Sequence, residues 1–414
     1  MIVQRVEKHI IKQNNKYYSM LDDFCFKAKN LYNHANYVVR NTFCNEDKWV
    51  RFQDLDKILR NDSIYPDYRN MPTAQSAQQI LMLLDNIWKS FFRSIKDWSK
   101  NKEKYLGRPK LPNYKKKDGR CVLLLTNQNV KLKENTLYFP KVFNGLTINP
   151  KFIEREDFKS FQQVRFIPKQ KHIVLELVYN IEVTEEKEDN GRYMSIDIGV
   201  DNLATVTNNY GGNPYIVDGK GLKSMNQYYN KTLSELQSGS KKVNDRYSTN
   251  RIIRFTYKRN NKVRDYIHKA SKLIIDRAIE NSVSVIVIGY NKGWKQSSVM
   301  SKKTNQKFIQ IPFNDLISQI QYKAQEVGIK VIVTEESYTS GTSFLDNELP
   351  IKENYNKNRR IKRGLFKSNN GTLINADVNA SLQILKKVFS KGFNLLFPNE
   401  IEGVVLHPVR VYIN

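Results

Sequence analysis

The chain has 414 residues, of which 40% are hydrophobic and 11% aromatic, with 68 Lys and Arg against 41 Asp and Glu and a formal net charge of +27. This content excludes a disordered polycation, the length allows two or three domains with cores of their own, and the cationic excess, spread along the chain, points to a large polyanion such as nucleic acid. No apolar run reaches the roughly 18–20 residues that span a bilayer, so no membrane association is expected.

The N-terminal "MIVQRVEKHIIK" lacks the apolar core of a signal peptide, which predicts a cytoplasmic protein. "IVQRVEKHIIKQ" alternates as a strand and is followed by the turn "NNK". From about Tyr17 to Tyr105 the spacing becomes helical. In "AQSAQQILMLLDNIWKSFFRSIKDWSK", Ile80, Leu81, Leu84, Ile87, Trp88, Phe91, Phe92, Ile95 and Trp98 share one broad face, as core residues do, and Lys and Arg take much of the other. After the loop "YLGRPKLPNYKKKDGR" come short strands: "CVLLLT", "NVKLKENTLYFP", "LTINP" and "QQVRFIPKQKHIVLELVYNIEV". This order predicts an N-terminal β-barrel-like domain, residues 1–20 and 106–185, interrupted by a helical insertion, 21–105. The polar "TEEKEDNGR", Thr184 to Arg192, reads as a linker.

Beyond it "YMSIDIG" and "LATVTNN" form a predicted hairpin and "PYIVDG" a third strand. A long basic helical stretch follows, then the buried strand "VSVIVIGYN", the helix "FNDLISQIQYKAQEVG", the strand "IKVIVTEES" and the helix "NADVNASLQILKKVF". Three antiparallel strands, then helix, strand, helix, strand, helix, is the plan of an RNase H-like domain, placed at 190–389. The predicted fold class is therefore α+β and multidomain. The tail, 390–414, carries no interpretable motif.

Asp197 sits mid-strand among apolar neighbours, where an unpaired charge costs several kcal/mol. A buried ion pair to Arg or Lys would satisfy it. Asp377 opens the last predicted helix, a position that the helix dipole favours without any further function. Two carboxylates, one ending a central strand and one starting a docked helix, can also converge and repel unless a cation joins them, and hard oxygen ligands suit Mg2+. A pair of such ions roughly 4 Å apart can activate water and steady the leaving oxygen of a phosphodiester.

"MSIDIGVDNLATVTNN", "YNKGWKQ", "FIQIPFNDLISQIQYKAQEVGIKVIVTEESYTS" and "GTLINADVNASLQIL", in this order, closely resemble the TnpB or OrfB family of insertion-sequence proteins. Those are RNA-guided DNA endonucleases with a RuvC-like nuclease domain, related to type V CRISPR effectors. "LYNHANYVVR" and "PTAQSAQQILMLLDNIWKSFF" also resemble the family's helical recognition lobe. The resemblance implies a guide RNA, double-stranded target DNA, and two Mg2+ ions that Mn2+ can replace. It makes Asp197 the first catalytic acid and Asp377 the last.

The middle acid departs from the family. Gly289 stands where the family has a glutamate, and the nearest replacements are Glu335 and Glu336, one strand later. Successive strand residues face opposite sides, so at most one of the two can join Asp197 while the strand stays regular. If neither does, the protein is a guided DNA-binding protein without nuclease activity. A strand-joining transposase is a third alternative, without evident end-binding segments.

The family's four-cysteine zinc segment is absent as well. Cys25, Cys44 and Cys121 all lie elsewhere, and the insertion at about 341–371 contains no cysteine, so no zinc is expected. Phe344, Leu345, Leu349, Ile351, Leu365 and Phe366 are expected to hold it by packing. Its run "KNRRIKRG", with Arg359, Arg360, Lys362 and Arg363, is expected to clamp phosphates. Lys292, Trp294 and Lys295 of "NKGWKQ" are further nucleic-acid candidates, Trp294 either stacking on a base or anchoring its loop.

Overall fold

The computed structural model describes residues 1–291, 306, 309–389 and 408–413. The chain divides into two compact units, Met1–Glu182 and Val183–Asn414.

In the first unit, β1 (Ile2–Lys12) is followed by α1 (Tyr18–Glu46), α2 (Phe52–Asn61) and α3 (Ala74–Lys100). Helix α3 starts at a reciprocal cap: Thr73 Oγ1 accepts from Ser76 N, and Thr73 N donates to Ser76 Oγ. Its face follows the apolar spacing. Ile80, Leu81, Leu84 and Trp88 are fully buried, whereas Ile87, Phe91, Phe92, Ile95 and Trp98 are only half-buried. Strands β2 (Leu123–Thr126), β3 (Lys131–Lys133), β4 (Thr136–Tyr138), β5 (Thr147–Ile148), β6 (Phe158–Pro168) and β7 (His172–Glu182) complete the unit. They form two sheets, ordered β1-β7-β6-β2 and β3-β4-β5. Strand β7 alternates, with Ile173, Leu175, Leu177, Tyr179 and Ile181 buried.

The second unit is built on a six-stranded sheet: β8 (Tyr193–Asp197), β9 (Asn202–Asn208), β10 (Tyr215–Asp218), β11 (Val285–Gly289), β12 (Lys330–Thr334) and β15 (Val409–Val411), in the order β12-β11-β8-β9-β10-β15. Strands β8, β9 and β10 run antiparallel to their neighbours in that series, and β11 and β12 extend β8 in parallel. The basic stretch predicted as one helical run is two helices, α4 (Lys220–Asn244) and α5 (Asn250–Glu280). Asp245 ends the first in the left-handed region, and Thr249 caps the second.

Alternation along the parallel strands sorts the layers. Met194, Ile196, Ile286 and Ile288 face α5 and α6 (Phe313–Glu326), while Tyr193, Val285 and Val287 face α7 (Ala376–Val388) on the opposite side. The cysteine-free insertion carries the hairpin β13 (Leu365–Lys367) and β14 (Leu373–Asn375). Its apolar hold is narrower than the sequence suggests. Phe366 is fully buried and Phe344 and Leu345 pack beside it, but Leu349 and Ile351 remain exposed.

Polar residues of α7 supply the rest. Buried Asn379 accepts from Phe344 N at 2.9 Å and donates to Thr342 O at 2.8 Å, and Gln383 donates to Glu348 O at 3.2 Å. Residues 408–413, silent in sequence, carry β15, which pairs in parallel with β10 at the sheet edge.

Candidate active site

Asp197 is the last residue of β8, and its neighbours decide which way it points. Ser195, two residues earlier, bonds to Ser381 of α7, so odd-numbered residues of β8 face α7 and Asp197 faces it too. Beside it, β11 pairs Val287 with Ser195 and ends at Gly289, on the same face as Val285 and Val287. There the absent side chain is replaced by neighbours: a Cβ added to Gly289 would lie 3.0 Å from Ile384 Cγ1 and 3.3 Å from Glu336 Cβ.

The parity of β12 separates the two glutamates. Ile332 packs with the α7-facing cluster and Val331 with the opposite one, so Glu336 leaves the strand on the side of Asp197 and Glu335 on the other. Glu336 accepts from Asn291 Nδ2 at 3.2 Å, and its own N–H donates to Asn291 Oδ1 at 3.2 Å. Glu335 is exposed and accepts from Ser337 Oγ at 2.5 Å.

Asp377 arrives from α7. Asn375 caps α7, accepting from Asp377 N and Val378 N at 3.0 and 3.2 Å, which puts Asp377 in the first turn. Asp197, Glu336 and Asp377 line one cavity of about 1120 Å3, whereas Glu335 is not among its lining residues. Cations share that cavity. Arg360 Nη2 stands 2.9 Å from Asp377 Oδ1, and Asn202 Nδ2 donates to Asp377 Oδ2 at 2.6 Å. At the rim Asp201 pairs with Lys223 at 2.7 Å and Arg363 at 2.8 Å.

Electrostatics couples the acids. Burial, then the charges of Asp377 and Glu336, raises the Asp197 carboxyl well above its ordinary range, against the opposing pull of Arg360. Burial pushes Glu336 up to about 7, with Lys387 opposing. As they stand, no three His, Cys, Asp or Glu side chains among the described residues are close enough together to hold a metal ion. The donor set is nevertheless three carboxylates that repel one another in a partly dry cavity, the charge pattern that a hard divalent cation relieves.

The basic run of the insertion divides by partner. Arg359 is tied to Glu348 at 2.6 Å within the insertion, Arg360 and Arg363 reach the cavity, and Lys362 is exposed. Lys292, Trp294 and Lys295 lie outside the described residues. Two cavity residues had no motif to mark them, Asn202 and Arg410, because each acts through a partner distant in sequence.

Residues 176–295, which include Asp197 and Gly289, match the OrfB_IS605 family model, described as a probable transposase. Residues 313–384, which include Glu336, the insertion and Asp377, match the TNB domain of Cas12f1-like proteins. Over these two stretches the chain is similar to TnpB-like transposon proteins and to the Cas12f1-like type V effectors. It is 24% identical over 282 residues to the CRISPR-associated endodeoxyribonuclease Cas12f2 of Micrarchaeota archaeon (strain CG1_02_47_40). That match takes in 63% of this chain but 48% of the relative, so the chain spans about half the length of that curated protein. Its fold is similar to that in a Cas12f1–sgRNA–target DNA complex, with a TM-score of 0.55 at 16% identity over 89% of this chain and 82% of that one. The mini-RNA-guided endonuclease CRISPR-Cas_phi3 aligns with a TM-score of 0.47 at 9% identity over 96% of this chain and 93% of that one. Among the described residues no helix is long and apolar enough to cross a membrane.

Proposed function

We propose that this protein is an RNA-guided DNA endonuclease associated with an insertion sequence, which hydrolyses target DNA with two divalent ions held by Asp197, Glu336 and Asp377. Its second unit is read as a RuvC-like, RNase H-like nuclease domain. Its first unit is read as a wedge-like barrel domain with a helical recognition insertion that grips guide RNA and heteroduplex by shape and backbone charge. Base pairing between guide and target would supply the sequence specificity. The curated relative is named an endodeoxyribonuclease, and a solved relative of the same fold is a complex with sgRNA and target DNA.

The observation that carries this function is the packing at Gly289. Glu336 Cβ stands 3.3 Å from where a Gly289 side chain would begin, so the third carboxylate enters the cavity from the neighbouring strand. Mg2+, when bound, supplies a Lewis acid that activates water and stabilises the leaving oxygen. The chain's own residues do the rest. Asp197 from β8, Asp377 from α7 and Glu336 beside them would present carboxylate oxygens to the ion, and burial raises the Glu336 carboxyl to about 7. Arg360 neutralises Asp377 until a phosphate or cation takes its place, and Lys223 and Arg363 make the rim attractive to the DNA backbone.

A guided DNA-binding protein without cleavage is the second reading. The absence among the described residues of a ready three-carboxylate cluster, with Arg360 paired to Asp377, favours it.

The deciding experiment assays target-DNA cleavage in Mg2+ by the protein co-expressed with the RNA transcribed beside its gene. Wild type, Asp197→Ala, Glu335→Ala and Glu336→Ala are compared. An active nuclease cuts as wild type and as Glu335→Ala and loses cleavage in the other two. Guided binding without cleavage by wild type establishes the second reading.

A further inference from the structure

The cavity has a wall that no motif announces. Strand β15 adds to the sheet edge with Ile216 opposite Arg410, and Val409 N donates to Pro214 O at 2.9 Å. This register brings the Arg410 guanidinium to the cavity, where it makes two bonds. Nη1 donates to Asp218 Oδ1 at 2.6 Å and Nη2 donates to Asn202 Oδ1 at 2.9 Å.

The second bond has a chemical consequence for Asp377. A guanidinium is a donor only and an ionised carboxylate an acceptor only, whereas an amide carries one end of each kind. Asn202 lies between the two, its oxygen on Arg410 and its nitrogen on Asp377 Oδ2 at 2.6 Å. Arg410 therefore dictates the orientation of the amide. With Arg410 removed, nothing in this relay prevents the Asn202 amide from turning and presenting its oxygen to the carboxylate. Asp218 anchors the other end. Its side chain is almost fully buried, and its Oδ2 accepts from Lys220 N and Gly221 N at 2.9 and 3.3 Å as α4 begins, so the guanidinium cannot drift without stranding a buried charge.

We infer that Arg410 is a positioning residue for the nuclease centre, orienting Asn202 so that Asn202 holds Asp377 in the rotamer that ligates a divalent ion. The inference rests on the proposed metal-dependent cleavage and adds a part of the chain to it. Partners behind a metal ligand typically change affinity or activity by about 10–100-fold when removed. The alternative is that Arg410 is only the counter-ion of Asp218 and pins β15 to the sheet.

The test uses the full chain with its guide RNA and the variants Arg410→Met, Arg410→Lys, Asn202→Ala and Arg410→Met/Asn202→Ala. Mn2+ affinity is measured on the protein by electron paramagnetic resonance, single-turnover cleavage over a Mg2+ series, guided target binding by gel shift, and thermal stability in parallel. Arg410→Lys keeps a cation on Asp218 but lacks the fork that reaches both partners, so it separates positioning from folding.

The expected result is Mn2+ affinity and cleavage weaker by about tenfold or more in Arg410→Lys and Asn202→Ala, with guided binding intact. The double variant should be no worse than the worse single one, as for residues acting in series. The inference is overturned if Arg410→Lys binds Mn2+ and cuts within about twofold of wild type, or if the two losses multiply. A wild-type protein that binds no Mn2+ overturns the metal-dependent nuclease itself, and the inference with it. A wild type that binds Mn2+ but does not cut leaves the affinity comparison to decide on Arg410.

Discussion

Glu336 Cβ lies 3.3 Å from the point where a Gly289 side chain would begin, and Ile384 Cγ1 closes the same space at 3.0 Å. The space beside Gly289 is filled twice, once by the Glu336 side chain and once by Ile384 of α7. A side chain at 289 is therefore expected to harm the protein. Gly289→Ala should destabilise it by about 1–3 kcal/mol, the usual cost of overpacking a filled core, and Gly289→Glu by more. Shortening Ile384 to Ala in the Gly289→Ala background should recover part of that loss relative to Ile384→Ala alone. Urea unfolding of the four proteins measures it.

The raised carboxyls set a pH dependence. Glu336 titrates near 7 in the fold against an ordinary 4.5. Between these values the folded chain holds a proton that the unfolded chain has lost, so stability falls as pH rises through the window. Asp197 acts in the same direction. Metal-free protein should therefore melt at lower temperature at about pH 7 than at about pH 5, by this contribution, and Glu336→Gln should flatten the difference. Divalent-ion binding near neutral pH should release protons, measurable by titration calorimetry in buffers of different ionisation enthalpy.

Arg360 competes with a cation for Asp377. The pair is 2.9 Å long with side chains 34% and 25% exposed, a setting in which such contacts contribute about 0.2–1 kcal/mol. Arg360→Gln should then bind Mn2+ more tightly, by up to about fivefold. It should also move the Asp197 carboxyl further up in metal-free protein, since Arg360 is the group that pulls it down. Electron paramagnetic resonance of Mn2+ reads the first effect and carboxyl-selective nuclear magnetic resonance the second.

Asn379 of α7 ties the insertion to the second unit through two backbone hydrogen bonds. Asn379→Ala would remove the hydrogen bonds to Phe344 N and Thr342 O, at about 0.5–1.5 kcal/mol for each bond. Limited proteolysis should then cut within 341–371 faster than in wild type, while a zinc chelator should leave the wild-type pattern unchanged.

Much of the second unit was legible in the sequence because its signals are local. Runs that read as buried sheet marked β8 and β9, apolar runs marked β11 and β12, and Asp377 opened a stretch of helical spacing. The single helical run before β11 failed as a prediction because the break between α4 and α5 needs only a few residues, Asp245 to Thr249, in a stretch basic throughout.

The sequence by itself determined that Asp197 lies in a strand and Asp377 at a helix start, and that Gly289 has no side chain to ligate; that Asp197 is the last residue of β8 is a finding of the structure. The sequence left Glu335 and Glu336 equivalent, because adjacent residues in a strand differ only in the face they present, and the face is set by pairing with β11 and packing on α7. Arg410 was beyond reach for the same kind of reason. Its strand pairs with β10, nearly two hundred residues away, and its two hydrogen bonds exist only once that long-range register is made. Local periodicity encodes elements, but convergence of side chains from strands β8, β12 and β15 and helix α7 is a property of tertiary packing, where the energy of one contact depends on the placement of all the others.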